Sequence, residues 1–492
     1  MVIKNKLISD TAITTGTSFL NRFISFVRGF VIARLLDPSL YGYFSGLSLI
    51  FLYNAQGHLG ILHGMNRNLS LARGAKDFQS FEDIKNNAVS AIIILSFIIS
   101  IGIVLYSIVK ATYYPSYIIW GIRIYAIVGI LYHMEYIYHS LLRVDHRFVE
   151  INISRIIFAS SNFILAVLLI YLFGFYGVLV GLLASMAIQN LYLFFKGKFN
   201  LKFRVNFTMI RELIRIGAPI SFTYLITVIL NSIDRIIIIR FLSPAELGFY
   251  GIGLAFSSEF LLRIPDAISY VVYPRILEEY GKSRNTASLL KLFQAPSLVI
   301  ACIMSVAIGL LFLVIGYVIT YLLPSYVPAI QVTKILVFSL FFISINQIAV
   351  RVMIATNRTR IVMAFQGMAI VVNLVASYLA VKAGMGISGV ALATGFSYFL
   401  YSISLTHYTL EKLHGSFGIA IKEQCRLYLP LCYCSIALVL LSYFPFHSSL
   451  STPSVLSDTI VVVSNTLLFV VISIPFLIYI YKSMKQLNVT AY

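Results

Sequence analysis

The chain has 492 residues, 59% of them hydrophobic and only 11% charged, with a net charge of +19 and a mean hydropathy of +0.91. Apolar runs of roughly 20 residues recur along its length, each able to cross a ~30 Å hydrocarbon core, which excludes an ordinary soluble domain. The positive balance is not a nucleic-acid signal, because the basic residues gather in alternate connections, as the positive-inside rule describes.

Spans are predicted to start near residues 12, 42, 87, 117, 148, 176, 211, 246, 288, 328, 360, 386, 426 and 458, so the sequence reads as an all-α integral membrane protein of about fourteen helices. The even-numbered connections and both ends carry most of the Lys and Arg, whereas the odd-numbered connections hold only Arg34, Lys110, Arg240 and Lys382. Both termini are therefore expected in the cytoplasm. The first segment lacks the short apolar core and cleavage site of a signal peptide and is expected to be retained.

In the first span Thr14, Ser18, Asn21, Ser25 and Arg28 follow 4-3-4-3 spacing along one helix face, with Arg22 beside Asn21. A polar stripe turned to lipid is costly, so this face is expected to point inward, toward partner groups or a water-filled cavity. Helix glue explains the hydroxyls well and a mid-span arginine poorly.

The end of this span, RLLDPSLYGYF from Arg34 to Phe44, returns as RFLSPAELGFY from Arg240 to Tyr250 with Arg, Leu, Pro and Gly at the same offsets. Pro115-Ser116-Tyr117 returns as Pro324-Ser325-Tyr326, and GFYGV at 174–178 as GISGV at 386–390. Three anchors in one order divide the chain into lobes of residues 1–205 and 206–415, with two further helices in 416–492. An even number of spans, six per lobe, makes the lobes parallel copies, an organisation typical of transporters with a shared midplane site.

The second span presents a small-residue face of Gly57, Gly60 and Gly64. Glu135 and His139 lie one turn apart near the cytoplasmic end of the fourth span, where snorkelling and proton coupling both account for them. The basic linker KGKFNLKFRVNF reads as an interfacial segment, or alternatively as a phosphate-recruiting one.

By the repeat, Asn231 and Asp234 occupy the polar face of the seventh span, with Arg235 adjacent. The eighth span sets Glu259, Arg263 and Asp266 at 4-3 spacing, with Pro265 expected to kink it. This is either a self-neutralised structural triad or a gated site in which Arg263 binds an anion and a carboxylate takes up a proton or sodium ion.

Arg22, Arg28, Arg235 and Arg263 are thus the candidate anion ligands. Asp234, Glu259, Asp266 and Glu135 are the candidates for ion coupling, and Asn21, Ser25 and Asn231 for lining the cavity. Arg123, Arg155 and Lys334 lie nearer span ends, can snorkel, and rank below them.

Cys302, Cys425, Cys432 and Cys434 lack metal-ligand spacing, GKS at Gly281 to Ser283 lacks the earlier glycine of a phosphate-binding loop, and no HExxH or GxSxG occurs. No catalytic residue, metal or cofactor is expected.

The runs FVIARLLDPSLYGYFSGL, LGILHGMNRNLSLARG and SYVVYPRILEEYGKSRN resemble the polysaccharide transport family, which includes the O-antigen flippases of the multidrug, oligosaccharidyl-lipid and polysaccharide exporter superfamily. The resemblance implies a V of two lobes around a cationic central cavity. Its implied cargo is an oligosaccharide on undecaprenyl pyrophosphate, moved from the cytoplasmic to the periplasmic leaflet of a bacterial inner membrane.

The resemblance further implies that the last two helices, Cys425 to Phe444 and Asp458 to Tyr481, form a groove for the lipid tail, as in the related lipid II flippases. Expected partners are membrane lipids, a polysaccharide polymerase and a chain-length regulator, and not nucleic acid. The rival readings are a cation-coupled multidrug exporter of the same superfamily, using carboxylates such as Asp234, and a membrane enzyme of polysaccharide assembly. An enzyme of that kind usually has a long outward loop with catalytic residues. Here the longest, around Phe446 to Ser457, holds only His447.

Overall fold

A computed structural model describes residues 2–257, 261–443 and 455–489, which are mostly helical, with no strand among them. The chain divides into two compact units, Met1–Ser232 and Ile233–Tyr492. The first contains α1 (Val2–Leu35), α2 (Pro38–Asn54), α3 (Ile61–Gly74), α4 (Phe78–Val109), α5 (Ser116–Val144), α6 (Phe148–Phe173), α7 (Phe175–Gly197) and α8 (Phe207–Leu230). The second contains α9 (Ile233–Phe241), α10 (Pro244–Phe256), α11 (Arg263–Ser283), α12 (Leu290–Leu322), α13 (Ala329–Ala355), α14 (Thr359–Lys382), α15 (Gly386–His414), α16 (Phe417–Tyr443) and α17 (Val455–Val489).

Among the described residues eleven helices are long and apolar enough to cross a membrane: α4 to α8 and α12 to α17. The three remaining expected spans correspond to α1, to α2 with α3, and to α10 with α11. Of these, α2 and α10 are apolar but short, at 17 and 13 residues. The helices α1, α3 and α11 carry the polar and charged residues that marked them in the sequence.

All three sequence repeats are turn chemistry. Asp37 caps α2 by accepting from the N–H groups of Ser39 (2.8 Å) and Leu40 (3.1 Å), and Pro38 occupies the first turn, where its missing N–H costs nothing. The second copy does the same with Ser243, Pro244 and a capping box to Glu246. Gly174 (φ 55°) and Gly386 (φ 54°) precede or open α7 and α15 in the left-handed half of backbone space, which glycine adopts without strain.

Division at Ser232 rather than at residue 205 has a physical cause in α8. Gly60 and Gly64 let α3 approach the backbone of α8 at Gly217 and Leu213, and any Cβ at these glycines would strike it. Small residues are how helices in lipid gain close van der Waals contact without a hydrophobic drive. Around this contact Ile61, Leu62, Met65 and Leu69 of α3 pack with Ile92, Leu141 and Leu213 in one buried cluster. The helix α8 ends at Asn231–Ser232, and the unit boundary falls in that break.

The basic linker is a strap on α4. Backbone N–H groups of Lys202, Arg204 and Asn206 donate to Asn86 Oδ1, Ser90 Oγ and Asn87 Oδ1 at 2.9, 2.9 and 2.6 Å, and Arg204 also pairs with Asp83 at 2.7 Å. Those contacts give partners to three of the buried polar residues of α4, Asn86, Asn87 and Ser90.

Pro265 does not kink a continuous helix. It sits in the first turn of α11, where proline is tolerated, and α11 itself begins at Arg263.

Candidate functional site

The polar face of α1 opens on a cavity of about 570 Å3 inside the first unit, framed by α1, α2, α5, α6 and α7. Asn21, Arg22, Ser25 and Arg28 line it, as the 4-3 spacing of Asn21, Ser25 and Arg28 places them on one face. The side chains of Thr14 and Ser18 lie outside the described residues.

Opposite them, α5 contributes Tyr125, Tyr132 and Glu135, α6 contributes Arg155 and Asn162, and α7 contributes Gln189. Three guanidinium groups therefore share this cavity with a single carboxylate. Glu135 is held by Gln189 Nε2 at 3.1 Å and faces His139 Nδ1 at 3.4 Å, and His139 Nε2 in turn meets Ser154 Oγ at 2.8 Å. Arg155 lies within electrostatic reach of the same carboxylate.

Three amide oxygens here, Asn21 Oδ1, Asn162 Oδ1 and Gln189 Oε1, are buried and accept no hydrogen bond from the described residues. An unsatisfied buried acceptor costs about 1–3 kcal/mol, so these groups are poised for hydrogen-bond donors. Guanidinium forks suit phosphate oxygens bidentately, and amide oxygens suit hydroxyls. The cavity thus offers complementary partners to an anion that also bears hydroxyl groups.

The other candidates lie elsewhere. Asn231 ends α8 in the first unit and is not among the residues lining this cavity. In the second unit Asp234 is buried and accepts from Tyr250 Oη at 2.5 Å and from the Arg235 N–H at 2.7 Å. Tyr250 Oη also meets Thr394 Oγ1 at 3.3 Å, which accepts from Asn373 Nδ2 at 3.4 Å.

Arg235, next in sequence, is only half-buried. Arg263 and Asp266 form an ion pair at 3.3 Å, both more than a third exposed, and Glu259, the third member of that proposed triad, lies outside the described residues. Two other arginines inside spans have ordinary structural partners: Arg123 donates to Ser107 and lies over Trp120, and Arg351 donates to Ser269 and lies over Tyr273.

The sequence profile of the family described as "Polysaccharide biosynthesis protein" matches residues 31–300. The chain belongs to this family. No curated protein matches it.

Among solved structures, the fold is similar to "Lipid II flippase MurJ, inward closed conformation", with a TM-score of 0.72 and 13% identity over 95% of this chain and 100% of that one. It is also similar to an inward-facing multidrug resistance MATE family transporter of the MOP superfamily, with a TM-score of 0.64 and 14% identity over 83% and 96%. A MOP superfamily transporter from Pyrococcus furiosus gives 0.53 and 14% over 86% and 95%. At these identities the likeness is one of fold: this polysaccharide biosynthesis protein is a multi-pass membrane protein built as MOP-superfamily transporters are.

Sequence reasoning ranked Arg155 below the site and passed over Asn162 and Gln189. The signal was present as spacing. Arg155, Ala159 and Asn162 recur at 4-3 along α6, and Leu182, Met186 and Gln189 at 4-3 along α7, so each set lies on one face of its helix and lines the cavity.

Proposed function

We propose that this polysaccharide biosynthesis protein is a flippase rather than an enzyme. In this reading it carries an undecaprenyl-pyrophosphate-linked oligosaccharide, an O-antigen or other surface-polysaccharide repeat unit, from the cytoplasmic to the periplasmic leaflet of the inner membrane, with both termini cytoplasmic. The observation that carries this reading is the first-unit cavity, in which Arg22, Arg28 and Arg155 outnumber Glu135 among amides with unpaired acceptors.

Taking a pyrophosphate through bare hydrocarbon costs on the order of tens of kcal/mol by Born solvation. Guanidinium groups in a wet cavity replace that hydration with charge-assisted bonds. The lipid tail stays in the bilayer, the pyrophosphate engages Arg22 and Arg28, and glycan hydroxyls meet the amide oxygens. Arg235 and Arg263 are the second unit's candidates for anion binding, and alternation between two conformations changes the side to which the cargo is open. Coupling to an ion falls to Glu135 or to the buried Asp234, with Asp266 and Glu259 as the further candidates.

The test is complementation of a deletion strain with wild type, Arg22→Ala or Arg28→Ala, scoring surface polysaccharide and the leaflet on which lipid-linked oligosaccharide accumulates. Each arginine variant, expressed at the wild-type level, is expected to reduce translocation about tenfold or more, the worth of one hydrogen bond to a charged group. Full polysaccharide with raised sensitivity to lipophilic cations would reject this reading in favour of a multidrug exporter. Asp234 would then be the cargo ligand to examine.

A further inference from the structure

The second unit holds a cavity of similar size, about 570 Å3, and of opposite character. Its walls are Phe312 of α12, Phe338 and Phe342 of α13, and Phe396 and Phe399 of α15. Phe312 and Phe338 meet edge to face at 5.8 Å, as do Phe342 and Phe399 at 5.2 Å, which braces neighbouring helices through their rings. Phe396 is 52% and Leu392 49% exposed, so the groove opens sideways to the surroundings of the bundle. At its floor α13 and α15 approach closely, because Gly395 leaves room for the Ser339 hydroxyl.

One charge stands in this apolar groove. Lys334, in the second turn of α13, places its ammonium 4.7 Å from the Phe312 ring centre and makes no hydrogen bond or ion pair among the described residues. Asp458 shares with Lys334 the adjoining cavity of about 420 Å3, but it forms no ion pair with it and is engaged by Tyr321 Oη at 2.6 Å. An ammonium left without a carboxylate at the side of a membrane bundle is costly unless water or an anion meets it.

Here a compact cation and a long apolar wall are joined in one recess. With both termini in the cytoplasm, as proposed above, the end of the unit where α12 finishes and α13 and α15 begin faces the outer leaflet. A single lysine matches a phosphodiester with one negative charge, whereas a pyrophosphate is better met by several guanidinium groups.

We propose that this groove binds an anionic glycerophospholipid from the outer leaflet, its headgroup phosphate on Lys334 and one acyl chain along the phenylalanine wall. The site is separate from the arginine cavity and does not depend on what that cavity carries.

Native mass spectrometry of the purified full chain tests this, with phosphatidylglycerol, phosphatidylcholine and undecaprenyl phosphate titrated separately and in competition. Wild type is expected to prefer phosphatidylglycerol over phosphatidylcholine by about fivefold, the worth of one lysine facing an anionic headgroup. Lys334→Gln should abolish that preference and Lys334→Arg should retain it. Equal binding of the two phospholipids by wild type, or an unchanged preference in Lys334→Gln, would overturn the proposal. So would Lys334-dependent displacement of phosphatidylglycerol by equimolar undecaprenyl phosphate, because the groove would then belong to the path of a polyprenyl chain.

Discussion

Asp234 and Arg235 are neighbours in sequence with different surroundings. The carboxylate is buried against Tyr250 and the arginine's own N–H, and Tyr250 links it to Thr394 and Asn373 on other helices of the unit. Removing one partner from such a network leaves a buried acceptor short of a donor. Tyr250→Phe is accordingly expected to lower stability by about 1–3 kcal/mol, read as a lower midpoint of thermal unfolding in detergent. Asp234→Asn keeps the shape and a hydrogen-bond acceptor, so a loss of transport at unchanged midpoint would assign the carboxylate charge to coupling rather than to packing. Arg155 shows how far single positions are legible. Its place near a span end permits snorkelling, and only the packing of α6 against its neighbours shows that the guanidinium turns to the cavity.

Helices α3 and α8 illustrate what sequence patterns say about elements. Gly57, Gly60 and Gly64 were visible as a small-residue face, but nothing local names the surface they meet. In the fold, Gly60 and Gly64 meet the α8 backbone, which assigns α8 to the first unit although the sequence repeat counts it with the second. Gly64→Val would press a branched side chain against the Leu213 carbonyl, with an expected cost of about 1–3 kcal/mol, measurable as a lower thermal midpoint with the helical circular dichroism retained. The repeated RLLDPSLYG and RFLSPAELG segments were legible for a complementary reason. A cap, a proline in the first turn and a buried glycine form a local device whose residues cannot vary freely without spoiling the turn.

For the whole molecule, the proposed transport has an electrical consequence. An inside-negative potential favours outward movement of a dianionic headgroup by about 2.3 kcal/mol for each charge per 100 mV. Collapsing the potential in proteoliposomes is expected to slow translocation at constant pH gradient. An unchanged rate would mean that the driving force is an ion gradient or substrate consumption instead.

The all-helical membrane class and the polar face of α1 followed from composition and from 4-3 spacing, because hydrocarbon allows so few ways to satisfy a backbone and so little freedom to bury charge. Which polar residues share one cavity did not follow. Arg22, Glu135, Arg155 and Gln189 sit on four helices up to 167 positions apart in the chain, and the α6 and α7 residues join them only through the packing of those helices around the cavity. The lone Lys334 among phenylalanines was likewise hidden. Each aromatic is unremarked in an apolar span, and the recess exists only where three helices come together.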